Sequence, residues 1–126
     1  MSLCLPSLLK IQIRRLRRLL MLWLKEKITL LYNREILAEY TEVLSRVHFH
    51  ISKSRLETLI NYIYEHGIVT NRTTFNELLI DEDDRVFYEV SLSKDDSFLV
   101  TGNLKHFPFD PRVVTPAQML QILGED

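Results

Sequence analysis

Short apolar runs rich in strand-forming residues alternate with amphipathic helical patterns along most of this chain, and this alternation constrains the fold more than any other feature. The strand-like runs lie at residues 27–33, 67–70, 97–102 and 112–115. The helical patterns lie at residues 9–25, 34–47, 53–66, 84–93 and 115–123. Because strands that alternate with helices form parallel sheets covered by helices, the pattern predicts an α/β layered domain.

Local signals mark the ends of several of these helices. Asn33, Ser52 and Thr115 are favourable N-caps at the starts of three helical patterns. Gly67 follows the pattern at 53–66 and predicts its end. Residues 71–83 lack clean periodicity, so we predict a connecting loop there.

Length and composition indicate one globular domain in a reducing compartment. A chain of 126 residues is long enough for one domain with a core. Its single cysteine, Cys4, excludes an intrachain disulfide. The apolar run "LLMLWL" is far shorter than the ~20 residues that cross a bilayer, and no signal-peptide cleavage site follows it. We therefore expect a cytoplasmic protein with no transmembrane segment.

The net charge of −1 conceals an asymmetry between the start of the chain and the rest. Residues 1–33 carry seven basic side chains and one acidic side chain, whereas the remainder carries nine basic and sixteen acidic ones. Residues 9–25 have the pattern of a basic amphipathic helix. This contrast separates an atypical basic segment, residues 1–26, from a domain at residues 27–126.

Acidic and small polar side chains cluster at positions where a parallel sheet binds ligands. They follow strand-like runs or open helices: Glu39, Asp81, Asp83, Asp84, Thr101 and Asn103. The carboxyl ends of parallel strands meet at one edge, so these side chains are expected to converge. Converging carboxylates repel one another, and a hard divalent cation relieves that repulsion. Such a metal can activate water and stabilise charge on a phosphate.

Each of these residues also has a purely structural interpretation. Asp83 and Asp84 could cap the helix that follows them and favour its dipole. Glu39 could be a solvated helix residue, and Asn103 could serve only the conformation of a turn. His106 lies near the Asn103 turn, and the sequence assigns it no role.

Three segments together resemble PIN-domain proteins that are the toxin components of bacterial toxin–antitoxin systems. They are "LYNREILAEYTEVLSRVHFHIS", "DEDDRVFYEVSLSKDDSFLVTGNLKHFP" and "VVTPAQMLQIL". The resemblance spans residues 27–126 in the family's order. It implies a three-layer α/β/α fold and a Mg²⁺- or Mn²⁺-dependent endoribonuclease. It also implies an RNA substrate, a cognate antitoxin and, in many members, a homodimer.

The resemblance assigns roles to individual residues. Glu39, in "ILAEY", and Asp84, in "DEDDRVF", match the family's catalytic, metal-binding acidic residues. Asn103 stands where the family usually has a metal-binding aspartate, so it would bind the metal through a neutral carbonyl. Asp81 matches a supporting carboxylate and Thr101 a hydroxyl near the metal.

The start of the chain departs from the family pattern. PIN proteins begin with a hydrophobic central strand that ends in Asp-x-Asn, and its aspartate is a principal metal ligand. Neither is evident in residues 1–26. We therefore expect an incomplete PIN domain whose first central strand is missing or replaced by a basic helix, with weak or no activity.

Codon arithmetic offers one explanation of this departure. Permitted codons for residues 1–27, read one nucleotide out of register, can spell "VLVSAFPSKNPDSATAKVIDAVVKGK", which resembles the family's beginning. Residues 1–26 would then be a frameshifted translation that starts at an internal ATG. The alternative is a genuine basic helix that binds RNA or an anionic membrane surface.

Three functional outcomes follow from the sequence. The chain could be a metal-dependent endoribonuclease weakened by the loss of one aspartate. It could be an inactive PIN remnant that only binds antitoxin or RNA. It could also fail to fold stably, because the loss of a central strand exposes two sheet edges.

Overall fold

The computed structural model describes residues 1–5, 13–46 and 50–125, and the elements below belong to those ranges. The strands are β1 (Ser2–Cys4), β2 (Thr29–Tyr32), β3 (Ile68–Val69), β4 (Ser97–Val100) and β5 (Val113–Val114). The α-helices are α1 (Ile13–Leu24), α2 (Arg34–Leu44), α3 (Lys53–His66), α4 (Arg85–Leu92) and α5 (Pro116–Ile122). Single 3-10 turns lie at Glu82–Asp84 and Leu104–His106.

The five strands form one parallel sheet in the order β3-β2-β1-β4-β5. Helix α4 packs across β1, β2 and β4, whereas α1 packs against α5. The connection from β1 to β2 moves toward one edge of the sheet, whereas the connection from β3 to β4 moves toward the other edge. Right-handed crossovers therefore place α1 and α4 on opposite faces. The predicted α/β/α fold class with a parallel sheet is confirmed.

The prediction that the first central strand is missing is wrong. β1 lies in the centre of the sheet, where Leu3 is opposite Leu30 on one side and Phe98 on the other. Leu3 and Cys4 are fully buried. A strand of only three residues is enough here, because it has a hydrogen-bonded neighbour on each side and its residues are buried.

The basic segment also contributes a helix to the core. The apolar face of α1 is buried, and its members belong to the same core as the rest of the domain: Leu16, Leu19, Leu22 and Trp23. The ring of Trp23 packs edge-on against Tyr62 of α3, with 4.8 Å between the ring centroids. The first four residues of the predicted helix, 9–12, lie outside the described residues. The hypothesis that residues 1–26 arose by a frameshift is not tested by this packing, because packing shows how a segment fits into the fold and not how its gene arose.

The other helices begin where their caps predict. Asn33 accepts a hydrogen bond from the backbone of Ile36, and Ser52 accepts one from Arg55. Thr115 forms a capping box with Gln118. Helix α2 ends at Leu44, earlier than the predicted 47, and residues 47–49 lie outside the described ranges.

The predicted loop that leads to the acidic cluster is held by a buried carboxylate. Glu89 of α4 accepts hydrogen bonds from Nε of Arg72 at 2.8 Å and from the backbone N–H of Phe75 at 3.0 Å. Burial alone would raise the pKa of Glu89, but these donors lower it below its ordinary value. Arg72 also pairs with Glu35 of α2 at 2.8 Å. The first part of the loop, around Arg72 and Phe75, is thus fixed between α2 and α4.

Candidate metal centre

Three metal-ligating side chains converge at the carboxyl edge of the sheet. Asp81 precedes the first 3-10 turn, Asp84 directly precedes α4, and His106 lies in the 3-10 turn after β4. One ligand atom from each lies within 4.8 Å of the others. Nδ1 of His106 is 3.2 Å from Oδ2 of Asp84. Two carboxylates and one imidazole in this arrangement can hold a divalent cation.

The helix-cap interpretation, made from the sequence for Asp83 and Asp84, does not hold for Asp84; the residue whose side chain caps the 3-10 turn is Asp81. The Asp81 carboxylate accepts a hydrogen bond from the backbone N–H of Asp83 at 3.0 Å. Asp84 is 3% exposed, and its side chain makes no capping hydrogen bond to α4. Burying a carboxylate is costly unless a partner compensates its charge. A capping hydrogen bond therefore does not account for Asp84, although a carboxylate at the start of α4 still favours the helix dipole.

The residues that directly follow β4 form the turn that leads to His106. Thr101 is buried, and its hydroxyl accepts a hydrogen bond from the backbone N–H of Asn103 at 3.0 Å. The side-chain Nδ2 of Asn103 is buried and has no hydrogen-bond partner within the described residues. A rotated amide would place its carbonyl oxygen, which is a possible metal ligand, at the same point. Thr101 thus orders the turn that carries Asn103 and, three residues on, His106.

Glu39 lies beside this cluster, not within it. It is exposed on α2 and lines a cleft together with Asp83 and Arg72. Partial burial and the nearby carboxylates, first that of Glu42 and then those of Asp83 and Asp84, raise the pKa of Glu39. Glu39 is therefore within electrostatic range of Asp84, and its charge adds to a local excess that a cation would relieve.

The carboxyl end of β1 offers no acidic ligand. Cys4 donates a weak hydrogen bond to the backbone oxygen of Phe87, and burial raises the pKa of its thiol to about 12. The thiol therefore stays protonated at neutral pH and is a poor metal ligand. Leu5 donates its backbone N–H to the hydroxyl of Tyr40 at 3.0 Å. Apolar and neutral groups thus fill the place where the resemblance implies an aspartate.

His106 is the site residue that sequence reasoning left without a role. Its signal was its position: it comes three residues after Asn103 and at the same sheet edge as the acidic group. A single 3-10 turn then directs its ring to Asp84. That turn could not be inferred from periodicity, because three residues are too few to show a pattern.

The fold and the candidate site together define the class of this protein. It is an α/β/α domain with acidic and histidine side chains at the carboxyl edge of a parallel sheet. A sequence model described as PIN domain matches residues 5–105. The chain therefore belongs to the PIN domain family, a nuclease-type superfamily whose members generally bind divalent metals and often bind RNA. Neither the curated proteins nor the solved structures include a significant match. Within the described ranges, no helix is long and apolar enough to cross a membrane.

Proposed function

We propose that this protein is a divalent-metal-dependent endoribonuclease whose metal is held by Asp81, Asp84 and His106. The observation that carries the proposal is the convergence of these three donors within 4.8 Å at the ligand-binding edge of a PIN domain. Buried Asp84 is its central ligand. Asn103 supplies a neutral oxygen, and Glu39 contributes negative charge from the neighbouring helix.

The donor set fits Mn²⁺ better than Mg²⁺. Mg²⁺ is bound almost entirely by oxygen, whereas an imidazole nitrogen such as that of His106 favours a transition metal. When bound, the metal supplies an activated water and charge stabilisation at an RNA phosphate. The residues of the chain hold and orient these groups: Asp84 through its carboxylate, and Thr101 by fixing the turn that carries Asn103.

The absence of a carboxylate after β1 limits the activity that we propose. Cys4 and Leu5 leave the metal with less negative charge than a site with one more aspartate. We propose weak cleavage, and a biological role as a toxin of a bacterial toxin–antitoxin system that acts in the cytoplasm, can form a homodimer and is neutralised by its antitoxin. The second candidate function, an inactive PIN fold that only binds RNA or antitoxin, is favoured by the same replacement.

Cleavage of a fluorogenic RNA tests the proposal. We expect the wild-type protein to cleave with Mn²⁺ and to stop with EDTA. Asp84→Asn should lose at least about tenfold in rate, as expected for the loss of a metal ligand. Asp95→Asn is the matched control, because Asp95 is exposed just before β4 at the opposite edge of the sheet. Equal cleavage by all three proteins would point to a contaminating nuclease and refute catalysis by this chain.

A further inference from the structure

The first two turns of α1 carry a concentrated positive charge. Arg14, Arg15 and Arg17 are exposed, and none forms an ion pair or side-chain hydrogen bond with another described residue. Arg18 is half-buried and donates to the backbone oxygen of Glu125. The first turn of α1 contains no acidic residue. Among the side chains that the structure describes in this half of the helix, the exposed ones are therefore all basic.

This arrangement opposes the stability of the helix itself. Cationic side chains are disfavoured near a helix N-terminus, where the backbone dipole is positive. Arg14 lies three and four positions before Arg17 and Arg18, so like charges are neighbours on the helix surface. A bound polyanion would remove both sources of repulsion. The charge distribution thus suits a binding surface better than a structural one.

The arginines lie at the same edge of the sheet as the candidate metal centre. Arg17 lines a small cavity together with Leu5, which directly follows β1, and Tyr40 of α2. The opposite end of α1 is fixed at the amino edge, because a short turn leads to Thr29, whose backbone N–H bonds to the oxygen of Met1 at 2.7 Å. Helix α1 therefore points its arginine-bearing end toward the carboxyl edge.

Two kinds of anionic partner, a membrane and a nucleic acid, are candidates to bind this surface. A helix that lies on a membrane inserts an apolar face into it. The apolar face of α1 is already used, since Leu16, Leu19 and Trp23 are buried in the core. A nucleic acid, by contrast, can be held at its phosphates by exposed basic side chains and needs no apolar face inserted into it.

We propose that Arg14, Arg15 and Arg17 form a surface that binds the phosphate backbone of single-stranded RNA and directs it to the carboxyl edge of the sheet. The identity of the polyanion rests on the proposed function. The binding itself does not depend on metal, so it can be measured when the metal centre is empty. In this account the basic charge at the start of α1 serves the substrate.

The test is binding of a fluorescein-labelled oligouridylate in EDTA, followed by anisotropy at several salt concentrations. The variant is Arg14→Gln with Arg17→Gln, and the control is Lys25→Gln with Lys27→Gln, which removes two exposed charges just beyond the other end of α1. Each contact with a phosphate of a single strand contributes about 0.7 to the slope of log affinity against log salt concentration. At 0.1 M salt this corresponds to a factor of about five in affinity. We expect the variant to bind about 25-fold more weakly with a slope lower by about 1.4, and the control to change little.

Two results would overturn the proposal. One is equal weakening by the variant and its control, which would show only a general effect of net charge. The other is binding of wild-type protein to phosphatidylserine vesicles, lost in the arginine variant, without binding to the RNA. A thermal melt at or above that of wild type would show that the arginine variant is folded. EDTA prevents metal-dependent cleavage, so the binding measured here does not depend on whether the protein is catalytically active.

Discussion

Truncation of Leu19 tests most simply whether the basic N-terminal segment is part of the domain. Leu19 lies on α1 and is 0% exposed, whereas Leu24 on the same helix is 53% exposed. Leu19→Ala and Leu24→Ala therefore make the same chemical change in the same element. The two variants differ chiefly in how much packing they remove, so helix propensity largely cancels in the comparison.

The expected effect of Leu19→Ala follows from its complete burial. A fully buried leucine loses its transfer free energy and leaves a cavity, and such substitutions cost about 2–5 kcal/mol. We expect about 3 kcal/mol for Leu19→Ala and less than about 1 kcal/mol for Leu24→Ala. For a domain of this size the first value corresponds to a decrease in Tm of about 10 °C.

Urea unfolding followed by far-UV circular dichroism measures the difference. The midpoint for Leu19→Ala should fall while the slope m stays constant, since the folded state remains compact. Equal free energies of unfolding for the two variants would refute the docking of α1 on the sheet. A wild-type protein without a cooperative transition would refute the whole fold.

Three further predictions concern other parts of the molecule. Because the pKa of Glu89 is lowered in the folded state, its stabilising effect is present above the usual carboxyl pKa of about 4.3 and is lost as the pH falls through the lowered value. The destabilisation by Glu89→Gln, measured in urea from neutral to acid pH, should therefore shrink toward acid pH, and a constant difference would contradict this. Asn103→Asp should tighten Mn²⁺ binding in calorimetry by at least about tenfold, and no change would place its side chain away from the metal. Gly67→Ala should lower Tm more than Gly124→Ala, because a Cβ at Gly67 would lie 2.6 Å from the backbone oxygen of Ile63. Gly124, at φ +75°, has open space around it, so an alanine there adds only backbone strain. A larger decrease in Tm for Gly124→Ala would contradict the packing at Gly67.

The helices were predictable because their signals are local. Asn33, Ser52 and Thr115 cap the helices that they were expected to cap, since a cap depends on neighbours within one turn. The central strand was missed because Leu3 and Cys4 are too few to show a pattern. Its place in the sheet depends on β2 and β4, which lie far along the sequence.

The sequence predicted the edge of the sheet at which the candidate site residues lie, but not the arrangement of their side chains. Asp81 and Asp84 lie at the expected edge, but the burial of Asp84 and its contact with His106 depend on the packing of a turn 22 residues away. Glu39 was expected to bind the metal together with Asp84, and α2 places it beside the cluster of Asp81, Asp84 and His106, because the turn of the helix that buries Tyr40 leaves Glu39 exposed.

The central strand also bears on the alternatives left open by the sequence. Without a central strand, two sheet edges would be exposed in the middle of the molecule and the fold would be unstable. With β1 between β2 and β4, that physical reason no longer applies. The frameshift hypothesis concerns the gene and is tested by resequencing it together with the region upstream.

Titration of the protein with Mn²⁺ by calorimetry tests the central claim most directly, because the proposed chemistry requires a metal at Asp84 and His106. We predict saturable binding to the wild-type protein. Asp84→Asn and His106→Ala should each weaken binding by at least about tenfold, whereas Asp95→Asn should leave it unchanged. Absence of binding to the wild-type protein, or equal binding by all four proteins, would contradict a metal centre at this edge of the sheet.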